Sequence, residues 1–149
     1  MATNLKGVFA PITTITNVTI EQVVGLLVGL MENGCSSWWR GVDHHIFPAG
    51  LCYDDFKKGG KMQGEEYFHP FQLIPVTGGC SSVWMIEDPE SDEEDTKEFV
   101  VGIQQLRKGL EVMAVKYPRH FRDLVDENDD ANTADIFGQC IVYGEEVFS

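Results

Sequence analysis

The chain has 149 residues, 43% of them hydrophobic and 11% aromatic. That is enough for one self-sufficient core and little for two, so a single domain over residues 1–149 is expected. Twenty-four acidic against eleven basic residues give a formal charge of -13, a field that repels phosphate backbones and anionic membranes and speaks against duplex nucleic acid as a ligand. No secretory signal pattern opens the chain, and the longest apolar-rich run, residues 20–31, is interrupted by Glu21, Gln22 and glycines and is too short to span a bilayer. A soluble, intracellular protein is expected.

Residues 8–18 are rich in β-branched residues with Pro11 among them, which suits an edge strand or an extended arm. Thr19 followed three positions later by Gln22 forms a capping box, and Ile20, Val23, Val24, Leu27, Leu30 and Met31 recur at helical spacing. Asn33-Gly34 then supplies the stop, giving a first helix over about residues 20–33. Gly25 and Gly29 stand one turn apart on it, which permits close approach by a neighbouring backbone. From Cys35 to Asp88 the text turns to short β-prone pieces broken by glycine and proline. Tyr67 to Val76 and Ser82 to Glu87, joined through Thr77-Gly78-Gly79, read as a hairpin, and Lys57 to Lys61 as an exposed turn.

The acidic run at residues 87–95 is expected to be a solvated loop. After it, Phe99, Ile103, Leu106, Leu110, Met113 and Tyr117 form one apolar stripe, so a second helix is expected to open at Thr96 and to end at Pro118. A short helix around Phe121, Leu124 and Val125 and a last helix over about residues 132–143, closed by Gly144, complete the chain. The expected fold class is α+β, with three main helices packed on a small antiparallel sheet.

No phosphate-binding glycine loop, dinucleotide fingerprint or nucleophile elbow is present. Cys35, Cys52, Cys80 and Cys140 show no C-x-x-C spacing and read as thiols of a reducing compartment. Asp43, His44, His45 and His69 lack diagnostic ligand spacing, and adjacent histidines in a strand face opposite ways. Asp126, Asn128, Asp130 and Asn132 alternate like calcium-loop ligands, but Ala131 stands at the turn glycine and Phe137 at the bidentate glutamate, so the stretch reads as a turn and helix cap. No metal and no cofactor are expected, and binding is a better expectation than catalysis.

Trp38-Trp39-Arg40 offers two flat rings and a guanidinium for stacking and anion pairing, with one of the two indoles assigned to the core. Arg119 and Arg122, flanking His120, form a basic island in an acidic chain. Trp38, Trp39, Arg40, Arg119 and Arg122 are therefore the candidate ligand-binding residues.

The segments Asn33 to Trp39, Lys116 to Phe121, Asp129 to Gln139 and Tyr143-Gly144-Glu145 together resemble a group of small accessory proteins encoded by tailed bacteriophages. The resemblance implies a non-virion protein of the host bacterial cytoplasm that counters antiviral defence. Its partner would be a small nucleotide immune signal, sequestered across a subunit boundary of a homo-oligomer, or a host defence protein. An acidic decoy that inhibits a host nuclease and a small hydrolase or metal enzyme without a visible motif are the alternatives.

Overall fold

The computed structural model describes residues 5–10, 15–32, 37–49, 80–91 and 95–149. Among these the chain runs α1 (Ile20–Glu32), β1 (Trp39–Ile46), β2 (Ser81–Glu87), β3 (Thr96–Val101), α2 (Ile103–Lys116), α3 (Pro118–Val125) and α4 (Ala131–Val142). Four helices and an antiparallel sheet in the order β1-β2-β3 make an α+β fold. No described helix is long and apolar enough to cross a membrane.

Local chemistry explains most boundaries. The Thr19 capping box forms as its residue types require: Gln22 N–H donates to Thr19 Oγ1 at 3.1 Å while Thr19 N–H donates to Gln22 Oε1 at 2.9 Å. Pro118 stands at the first position of α3, where its missing N–H costs nothing, so the chain turns there and starts again. Asp130 caps α4 by accepting from Thr133 N–H at 3.0 Å, and this bond holds its carboxyl below the ordinary value.

Two expectations are corrected. Thr96–Val101 is a strand, and the helix begins only at Ile103. Phe99 lies four residues before Ile103 and so extends the helical stripe by coincidence, but Phe99-Val100-Val101 is β-prone and Gly102 breaks the run. Gly102 is the N-cap, and Gln105 reaches back to accept its N–H at 2.9 Å. The described part of residues 8–18 joins no strand, which removes the edge-strand alternative and leaves that of an extended arm, with Val8, Phe9 and Ile15 all exposed. The first strand of the expected hairpin and the Lys57 to Lys61 turn lie outside the described residues; Ser81–Glu87 pairs instead with β1 and β3.

One sheet face enters the core. Trp39, Val42, Trp84, Ile86, Phe99 and Val101 share it through cross-strand register. They join a single cluster with Leu26, Leu27 and Leu30 of α1, Leu106 and Met113 of α2, Leu124 of α3 and Phe137 of α4. Helix α4 packs against the other three helices, and two glycines allow that. A Cβ at Gly109 of α2 would lie 2.5 Å from Ile141 Cγ1, and one at Gly138 would lie 2.6 Å from Trp38 Cη2. Gly25 is the opposite case: it is exposed, and among the described residues nothing lies within 4 Å of an added Cβ, so no described neighbour uses the approach it permits.

The two helix glycines therefore separate cleanly in a denaturant titration. Gly138→Ala drives a methyl into a locked indole and should cost about 2 kcal/mol. Gly25→Ala, by removing backbone entropy from the unfolded chain, should add about 0.5–1 kcal/mol. Equal effects would contradict the packing described.

Candidate functional site

The two tryptophans part company. Trp38 is 1% exposed, and its indole N–H donates to Asp135 Oδ1 at 2.7 Å. Its ring meets Tyr143 edge-on with centroids 5.8 Å apart, and Gly138 abuts it. Every part of this side chain is spent on structure, so Trp38 is the indole assigned to the core and offers no face to a ligand. Trp39 is half-buried and packs edge-on against Trp84 at 6.1 Å, and among the described residues neither indole nitrogen of that pair finds an acceptor. Arg40 reaches across to Glu87 Oε2 at 2.9 Å, pairing an exposed guanidinium with a mostly buried carboxylate.

The basic island also divides. His120 turns inward, its Nδ1 lying 3.5 Å from Thr133 Oγ1, while Arg119 and Arg122 remain exposed on α3. Of these two, Arg122 borders a cavity of about 830 Å³ that takes in neither Arg119, Trp39 nor Arg40. Of the five sequence candidates this cavity takes in only Arg122, beside other members that sequence reasoning missed.

That cavity follows directly from the break at Pro118. Helices α2 and α3 join there, and both line the groove together with Thr16 and Val18 of the segment before α1. Half-buried Leu110, Ala114, Phe121 and Val125 give it an apolar lining, and exposed Arg107, Glu111 and Arg122 give it charge. Among the described residues neither arginine makes an ion pair or a side-chain hydrogen bond, although Arg107 and Glu111 stand at the i, i+4 spacing where one is common. Two guanidinium groups with open hydrogen-bonding forks beside an apolar lining can hold a flat anion. The sequence signal for it was a charged pair flanking the α2 stripe just before a proline, with Arg122 just after.

Other groupings are weaker as chemistry. His45 Nδ1 lies 2.7 Å from Ser82 Oγ, a serine–histidine contact between paired strand residues, but Ser82 is wholly buried and no substrate reaches it. His44 bonds Asp43 at 2.7 Å instead, on the other sheet face, as strand alternation requires. Among the described residues no three of His, Cys, Asp and Glu gather as metal ligands; His69, Cys35 and Cys52 lie outside them. Cys140 borders a cavity of about 400 Å³ beside Lys108 and Tyr143. Burial pushes its thiol up to about 11, the reverse of what a nucleophile needs. No family model, curated protein or solved structure matches the chain.

Burial of these groups has a measurable alkaline signature. Cys140 ionises at its ordinary 9.0 in the unfolded chain and about 11 when folded, so its stabilisation is complete below pH 9 and is lost as the pH rises toward 11. Tyr143, raised to about 12 by burial and by the charges of Glu87 and Asp88, extends the same trend upward. Urea midpoints should fall across this window, and Cys80 and Cys140 should resist thiol reagents in native protein at about pH 8. Rapid labelling of either, mapped by mass spectrometry, would contradict their burial.

Proposed function

We propose that this protein acts by binding rather than by catalysis, and that it sequesters a small nucleotide in the groove between α2 and α3. The observation that carries the reading is the pair Arg107 and Arg122 at the rim of a half-buried apolar groove of about 830 Å³. That volume lies in the size class of small-molecule sites, about 300–1,000 Å³. Phe121 offers a ring for base stacking, and each arginine can take a phosphate bidentately. In an acidic chain these two cations form a local exception. The overall field slows the approach of an anion, while the guanidinium groups hold it once it is seated.

The resemblance to accessory proteins of tailed bacteriophages supplies the setting for this reading. Removing a nucleotide immune signal would blunt host defence from within the bacterial cytoplasm, and no bond need be made or broken. Self-association would belong to the same picture. A rival reading, an acidic decoy that occupies a host nuclease, draws on the exposed run Asp126, Glu127, Asp129 and Asp130 at the turn into α4. Such a surface would act through screened charge, so inhibition of a purified nuclease would vanish as salt rises.

Equilibrium dialysis against ribonucleotides and cyclic nucleotides tests the lead reading. The ligand should be retained and, after heating of the complex, recovered chemically unchanged. Arg107→Ala and Arg122→Ala should each weaken retention about tenfold, the loss of one charge-assisted contact of about 1.5 kcal/mol. Being exposed, neither change should move the urea midpoint by more than about 0.5 kcal/mol. Retention of no nucleotide, or recovery of an altered one, would overturn the proposal.

A further inference from the structure

Resting on the nucleotide reading above, we infer that the groove selects guanine and that Glu111 is the residue that does so. A carboxylate is out of place in a site built for an anion. It stands one helical turn from Arg107 on α2, yet the two form no ion pair within 4.0 Å. Glu111 therefore keeps its oxygens available while bordering the same cavity as both arginines.

What those oxygens accept is fixed by chemistry. An ionised carboxylate offers two acceptors side by side and no donor. A phosphate presents only oxygen lone pairs and is repelled. Among the bases, guanine alone carries two adjacent donors, the ring N1–H and the exocyclic N2 amino group, on one edge and at a separation that two carboxylate oxygens match. Adenine sets its amino donor next to the N1 lone pair, cytosine does the same with N3, and uracil places one N–H between two carbonyls. Each of these turns at least one lone pair toward the carboxylate. Guanine against Glu111 leaves Phe121 to cover its ring face, and Arg122, on the opposite helix, to take the phosphate.

The alternative partner for Glu111 is the ribose diol, which every ribonucleotide carries and which would make binding indifferent to the base. GMP and AMP, measured by calorimetry against the whole chain, distinguish the two. GMP should bind about tenfold tighter than AMP, since one bidentate base contact is worth about 1–3 kcal/mol and an exposed site lies at the lower end. In Glu111→Gln that ratio should fall to about one, with AMP bound no more weakly than by the parent protein. Arg122→Ala should weaken both ligands alike and leave the ratio intact. Equal affinity of the parent for GMP and AMP, or a preference that survives Glu111→Gln, would overturn the guanine assignment and leave nucleotide binding standing. Failure to bind either nucleotide would overturn both.

Discussion

One carboxylate joins the sheet to the helices. Asp135, on α4, accepts the Trp38 indole N–H at 2.7 Å through one oxygen and the Gln139 amide at 2.8 Å through the other. Gln139 is itself fully buried, and its remaining capacity is spent on the chain end: Oε1 accepts Val147 N–H at 2.7 Å and Phe148 N–H at 2.8 Å, while Nε2 donates to Phe148 C=O at 2.8 Å. A polar group taken out of water destabilises the fold unless each of its hydrogen-bonding sites is answered, and here each answers another. Because Trp38 immediately precedes β1, this chain of bonds sets where the sheet meets α4. Tyr143 supplies the second tie, its hydroxyl donating to Glu87 C=O at the far end of β2.

That arrangement explains which parts of the architecture could be read from residue order. The Thr19 box and the Asp130 cap are local bonds between residues three apart, the restart at Pro118 follows from proline's missing N–H, and all three positions follow from residue type alone. The strand at Thr96–Val101 did not read out, because Phe99 satisfied a helical period that the β-branched pair after it contradicted, and only Gly102 marks the boundary. Trp38 and Trp39 are the same residue type at adjacent positions. What separates them is a carboxylate ninety-seven positions away, and no local pattern carries that.

The groove was hidden for a related reason. Its lining comes from residues before α1, from α2 and from α3, and they converge only because the chain turns at Pro118. Three of the four segments that carry the phage resemblance, those containing Trp38, Asp135 with Gln139, and Tyr143, build the polar network and the ring contacts beside it. The fourth, Lys116 to Phe121, contributes Pro118 and Phe121 to the groove, so resemblance and candidate chemistry overlap at that one place.

The hold of Gln139 on Val147 and Phe148 makes those two residues a mechanical component of the fold. Losing them would strip partners from a buried amide, and the disturbance would pass through Asp135 to the Trp38 indole. Leu5 and Phe9, by contrast, stand clear of the core, so substitutions there would disturb nothing of that network.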